Sequence, residues 1–242
     1  MTDATPAVDP DHDPRIGDDF AAAPPGTLWD RMKADPQYAP EHLALEAVRR
    51  IGPEARRWAD RQRAEHPETT PAALAQQAVK RFTNYARLSG AVSGATGLPG
   101  AVADVGVLAW TQSRMVLHMA AAYGLDPTAG DRATDLLVVQ RVHKVAETAR
   151  VALGVAAGRE RASRLFATAG DRPLAGVMFK MGVKLAQMAG VRAARRMFVK
   201  MIPGAAMVLG TWANAAATKD LADRVRDYYR SATMPQPPAP ES

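Results

Sequence analysis

Residues 173–189, Pro173-Leu-Ala-Gly-Val-Met-Phe-Lys-Met-Gly-Val-Lys-Leu-Ala-Gln-Met-Ala189, show the helical period at its plainest in this chain. Leu174, Val177, Met178, Met181, Leu185 and Met188 recur at three- and four-residue spacing and form one stripe, while Lys180, Lys184 and Gln187 fall outside it. The segment is an amphipathic helix with a basic edge. Working outward, no stretch of the sequence sustains the two-residue alternation of a half-buried strand, so the expected fold class is all-α.

Proline and glycine punctuation divides the rest. Of 18 prolines, five fall within residues 1–25 and four within the last eight, which marks both ends as disordered tails. The other nine stand between apolar-periodic segments, where proline starts or stops helices. Thr70-Pro71 and Asp126-Pro127 read as N-cap and first-turn pairs, and Gly124 as a helix stop. These signals predict helices near 41–51, 53–66, 71–88, 100–123, 128–156, 159–169, 173–189, 191–201 and 204–229. The expected organisation is one compact domain of eight or nine helices over 27–230, between an acidic, proline-rich tail at 1–26 and a second tail at 231–242. The 41–66 region is dominated by Arg49, Arg50, Arg56, Arg57, Arg61 and Arg63 and reads as a solvent-facing outer helix pair. No internal repeat is evident at solenoid periods.

The 242 residues contain no cysteine, which excludes disulfides, thiolate metal sites and thiol nucleophiles. The net charge of +6 hides an asymmetry. Residues 1–20 hold six aspartates against Arg15, whereas Arg159–Lys200 carries ten basic side chains against Glu160 and Asp171. That concentration favours an anionic partner; a solvated helical surface explains it without one. The opening Met1-Thr2-Asp3 lacks the basic and apolar regions of a signal peptide, so the expected location is cytoplasmic. Richness in alanine and arginine suggests a high-GC bacterial source.

Two uncharged runs stand out. Leu88–Ser113 contains one charged residue, Asp104, and begins with small residues; Met201–Thr218 contains none. The second is long enough to span about 27 Å as a helix, but its alanines, Pro203 and Asn214 favour a buried core helix over a membrane span. Shallow insertion of a hairpin at the membrane surface is the less demanding alternative. Along the first helix of this part of the chain, Asp104, Thr111, Met115, His118 and Ala122 share one face, with Val107 and Arg114 at its shoulder. Asp104, Arg114 and His118, joined by Asn214, are therefore candidates for an internal polar cleft. The competing reading is that they cap helix ends or pair within the core.

Motifs for catalysis are sparse. His143 and Glu147 stand one helical turn apart, which an ordinary i,i+4 pair explains, and no HExxH accompanies them. Gly94, Gly97 and Gly100 lack the Lys-Ser/Thr of a phosphate-binding loop, and there is no Gly-x-Ser-x-Gly elbow. His12, His42 and His66 fall in the tail or the charged outer region. No catalytic residue, metal site or cofactor is assigned. Eight of the methionines, at 115, 119, 178, 181, 188, 197, 201 and 207, belong to the expected core helices.

Gly94-Ala95-Thr96-Gly97-Leu98-Pro99-Gly100, then Asp104 and Arg114, Tyr123-Gly124-Leu125-Asp126, Ile202-Pro203-Gly204-Ala205 and Asn214 follow in an order and spacing that resembles the bacterial EcsC family. The resemblance spans about residues 70–230. That family takes its name from an operon that also encodes the ATPase and permease of an ABC transporter, so the resemblance implies an accessory role near a membrane and no particular reaction. Names suggesting a peptidase find no matching residues here. The leading expectation is a non-enzymatic protein at the inner face of the plasma membrane, bound to an anionic lipid surface or a membrane protein such as a transporter component. Lys180, Lys184, Arg192, Arg195, Arg196 and Lys200 supply its basic face. The alternative is a ligand-binding protein or enzyme built on the Asp104, Arg114 and His118 cleft. Nucleic acid ranks last, for want of a helix-turn-helix or of aromatics interleaved with the basic residues.

Overall fold

Tyr123-Gly124-Leu125 ends the central helix as its sequence directs. Gly124 adopts φ +82°, and the Gly124 and Leu125 amides donate to the carbonyls of Ala121 and Ala120. This left-handed closure satisfies carbonyls that the helix end leaves open. In the computed structural model, residues 24–89, 97–165, 174–189 and 206–233 are described. They form eight α-helices and no strand: α1 (Gly26–Ala34), α2 (Ala39–Glu65), α3 (Pro71–Ser89), α4 (Gly97–Ala122), α5 (Asp131–Val139), α6 (Ala146–Leu165), α7 (Leu174–Ala189) and α8 (Ala206–Thr233). A 3-10 turn at Pro36–Tyr38 joins α1 to α2. The all-α expectation holds. The 191–201 helix lies outside the described residues, as do 1–23 and 234–242 of the tails expected at 1–26 and 231–242. Gly26 and residues 231–233, expected in those tails, belong instead to α1 and α8.

The longest apolar helix is also the most central. α4 packs against α2, α3, α7 and α8, and from Val102 onward it contributes Leu108, Trp110, Met115, Leu117 and Met119 to the core. On α7 the stripe read from the sequence is the buried one, with Met178, Met181, Leu185 and Met188 turned inward. Among the described residues, no helix is long and apolar enough to cross a membrane.

Several elements differ from expectation. Residues 41–51 and 53–66 form one helix, α2, that runs through Pro53. Proline normally disfavours helical backbone in the residue before it through a clash with that residue's Cβ, but the preceding residue here is Gly52, which has none. Gly52 also faces the α4–α5 connection, where a Cβ would stand 2.6 Å from the Pro127 carbonyl oxygen. The buried stripe Leu43, Ala47, Ile51, Ala55 and Trp58 continues across the proline, and its packing offsets the lost hydrogen bond.

Nor is α2 a solvent-facing outer element: its His42, Leu43, Glu46, Ile51 and Trp58 are buried. Its charged residues are fasteners. Glu46, 1% exposed, pairs with Arg31 of α1 at 2.5 Å and with Arg49 and Arg50, while Arg31 reaches Glu160 of α6 at 2.5 Å. Asp35, beyond α1, lies 3.4 Å from His42 and 3.1 Å from Arg159. α1 itself went unanticipated. It buries Leu28 and Met32 and lays Trp29 against Gly106 of α4, where a Cβ would overlap the indole.

The expected 128–156 helix is two helices. Thr70 caps α3 as foreseen, its Oγ1 accepting from the Ala73 amide at 3.2 Å. Asp126 instead holds a turn: it accepts from the Thr128 amide and hydroxyl and from Arg56, and these contacts hold its carboxyl down at about 2. The helix proper begins at Asp131 and ends at Val139. Arg141 takes φ +60° in the position that usually belongs to glycine, and the Val142 amide donates back to Leu137. Finally, residues 159–165 of the expected 159–169 helix continue α6, and 166–169 lie outside the described residues.

Candidate functional site

α4 carries three of the four polar-line residues, and the structure separates them. Arg114 and His118 are one turn apart in the core, whereas the half-buried Asp104 lies ten residues earlier, about 15 Å up the helix. Asn214 lies on α8, and its side chain is outside the described residues. The hydroxyls on this helix are met locally, with Thr111 donating to Val107 O and Ser113 to Ala109 O, both at 2.9 Å.

Burying the Arg114 guanidinium demands a counter-charge, and α2 provides it. Nη2 donates to both carboxylate oxygens of Glu54, at 2.8 and 3.0 Å, and this pair ties α4 to α2. His118 sits one turn further on, fully buried, with its ring 5.1 Å from that of Trp58 and 5.0 Å from that of Phe82. Its Nδ1 lies 2.8 Å from the Arg114 carbonyl, an acceptor, so Nδ1 carries the proton. Desolvation lowers the His118 pKa to about 3; the hydrogen bond to the Arg114 carbonyl opposes this, and the charges of Arg114 and Arg81 reinforce it. The ring is therefore neutral at physiological pH, and its 3.8 Å approach to Glu54 is a packing distance. A neutral imidazole closed off by two aromatic rings locks helices together; it is not placed to exchange protons with a substrate.

A second buried polar group joins α5 to α8. Tyr228 donates to Asp135 at 2.9 Å, Arg132 pairs with the same carboxylate at 2.9 Å, and the Arg132 guanidinium lies over the Tyr229 ring. Burial, then the Asp135 charge, pushes Tyr228 up to about 12, and burial likewise raises Asp135 and Tyr229. Both tyrosines stay protonated at neutral pH, and Tyr228 serves as the donor to Asp135. His143 does not pair with Glu147: it falls in the break before α6, and its Nε2 lies 2.7 Å from Glu41. Among the described residues, no three His, Asp or Glu side chains converge as metal ligands.

The basic set is only partly described. Lys180 is exposed and Lys184 half-buried on α7, while Arg192, Arg195, Arg196 and Lys200 lie outside the described residues. Beside the two lysines, the outer face of α7 presents Phe179, 50% exposed, and Val183, 36% exposed. Two features escaped sequence reading. Glu54 sits among so many charges that nothing marks it as the partner of Arg114. A groove of about 650 Å³ between α3 and α8 draws on Lys80, Thr83, Lys219 and Arg226, whose helical spacing within 71–89 and 206–233 was the available signal.

The sequence profile of the EcsC protein family matches residues 57–231, from the second half of α2 to the end of α8. No curated protein and no solved structure matches the chain. The family match extends upstream of the 70–230 resemblance to take in Trp58, which packs on His118. Since it covers well over half of the 242 residues, the chain belongs to the EcsC protein family.

Proposed function

We propose that this protein is a non-enzymatic accessory factor that binds the anionic inner face of the plasma membrane through the outer surface of α7 and the basic chain that follows it, next to a membrane transporter. The observation that carries this reading is the side-chain order on α7. Phe179 and Val183 project one turn apart beside Lys180 and Lys184, while the opposite face is held in the core by Met181, Leu185 and Met188. Aromatic and aliphatic groups flanked by lysines suit a helix lying in the headgroup layer. Each cation close to an anionic leaflet contributes about 1 kcal/mol, so the six basic residues from Lys180 to Lys200 support reversible binding without a lipid anchor.

Flotation of the purified protein with neutral and with phosphatidylglycerol-containing liposomes, at low and high salt, tests this. The expected result is co-flotation with the anionic vesicles only, lost at high salt. Lys180→Glu with Lys184→Glu weakens binding about tenfold or more, and Phe179→Ser weakens it at both salt concentrations. Val151→Ser on α6 is the control, since that side chain is 64% exposed yet lies on another helix. Absence of flotation under every condition overturns the proposal. Binding indifferent to salt and to the α7 variants does so too, and shifts attention to residues 88–113 and 201–218.

A further inference from the structure

The groove between α3 and α8 is built by two polar stripes that face one another. Gln76, Lys80, Thr83 and Asn84 follow at helical spacing along α3, and Lys219 and Arg226, two turns apart, oppose them from α8. The charge across it is uneven. Asp223 is the one acidic side chain among the lining residues, and it is taken up by Arg226 at 2.7 Å. Neither Lys80 nor Lys219 has an ion-pair partner among the described residues, and they stand on opposite walls.

The floor adds a second, independent observation. Thr83 is 3% exposed, yet its hydroxyl makes no hydrogen bond with the described residues. A threonine within a helix ordinarily bonds the carbonyl one turn back, as Thr111 does on α4. Among the described residues this buried hydroxyl is left with hydrogen-bonding capacity to spare for a ligand in the groove.

We infer that the α3–α8 groove is a binding site for a phosphate ester. Two ammonium groups from opposite walls, the carboxamides of Gln76 and Asn84 on the rim and the Thr83 hydroxyl below form a set of donors spread in three dimensions. That arrangement matches the tetrahedral oxygens of a phosphoryl group better than the planar pair of a carboxylate. The volume of about 650 Å³ far exceeds one phosphate, and Ala73, Val79 and Ala222 give the remainder an apolar lining for the organic part of the ester. The groove is formed by helices other than α7, so it stands whether or not α7 meets a membrane.

The test follows backbone amides of the uniformly ¹⁵N-labelled full-length protein during titration with inorganic phosphate, glycerol 3-phosphate and, below its micelle concentration, dihexanoyl phosphatidylglycerol. Acetate at matched ionic strength is the control. Saturable shifts at Gln76, Lys80, Thr83, Lys219 and Arg226 with the phosphate-bearing probes, absent with acetate, are expected. Saturation by glycerol 3-phosphate identifies a free ester as sufficient, and saturation by the short-chain lipid alone identifies a headgroup; either supports the site. The Lys80→Ala/Lys219→Ala variant changes two exposed side chains and is expected to keep the remaining spectrum while binding at least tenfold more weakly. Thr83→Val, nearly isosteric, is expected to weaken binding severalfold. No saturable shift with any probe overturns the inference, as does equal response to acetate or undiminished affinity in the double lysine variant. The Lys180→Glu/Lys184→Glu protein retains these shifts, which separates failure here from failure of the membrane reading.

Discussion

His118 shows how far one residue's meaning depends on its neighbours. On a helical wheel it belongs to a polar line with Asp104 and Arg114, but Trp58 from α2 and Phe82 from α3 close over it, and no helical wheel of a single segment can display them. Its consequence is a pH dependence of stability. The unfolded ring titrates at 6.5 and the folded one at about 3, so the unfolded chain binds the extra proton as the pH falls. Its contribution is fully present above about pH 6.5 and is lost progressively towards about pH 3, at roughly 1.4 kcal/mol per pH unit. Urea unfolding from pH 7 to pH 5 is therefore expected to cost the native protein about 2 kcal/mol more than it costs His118→Asn, which keeps a donor near the Arg114 carbonyl. Parallel pH profiles for the two proteins would show that the ring titrates normally in the fold.

At the scale of elements, the sequence was most legible where one helix contains its own signals. The α7 stripe, the Thr70 cap and the Gly124 stop are local patterns, and the structure keeps all three. It was least legible where a distant contact overrides a local cue. Pro53 continues a helix because Gly52 relieves the clash and the buried stripe persists, and α5 ends at Val139 with no glycine because Arg141 accepts a left-handed turn. The break releases His143 to meet Glu41, and Arg224 of α8 donates to the Val139 carbonyl at 3.0 Å, both contacts made from far along the chain. α1 was hidden for the same reason: nine residues carry little periodicity, and their helix is set by docking Trp29 on Gly106. Gly106→Ala is expected to displace that indole and destabilise the protein by about 1–3 kcal/mol in urea unfolding. Combining it with Trp29→Leu should recover part of the loss, because the smaller side chain makes room for the methyl. Strict additivity of the two changes would mean that Gly106 and Trp29 do not constrain each other.

For the molecule as a whole, the family match and the physical core do not start at the same residue. The match begins at 57, within α2, but the core it needs begins with Leu28 and Met32 of α1 and continues through Leu43, Ile51 and Ala55. A chain beginning at 57 also loses Glu54, the carboxylate that balances Arg114, leaving a guanidinium that is 3% exposed in the intact fold. Removing one member of a buried ion pair costs about 3–5 kcal/mol on its own, a large share of the 5–15 kcal/mol typical of a whole domain, before any lost apolar burial is counted. Residues 24–233 are therefore expected to unfold in one cooperative urea transition, with helical circular dichroism and a core-packing signal lost together. Residues 57–233 are expected to show no such transition and to bind a hydrophobic dye in the absence of urea, as a chain does when its helices lack a fixed core. Should 57–233 instead unfold cooperatively near the same midpoint, α1 and the first half of α2 would be an appendage, and the ion pairs of Glu46 and Glu54 would hold that appendage in place without supporting the domain.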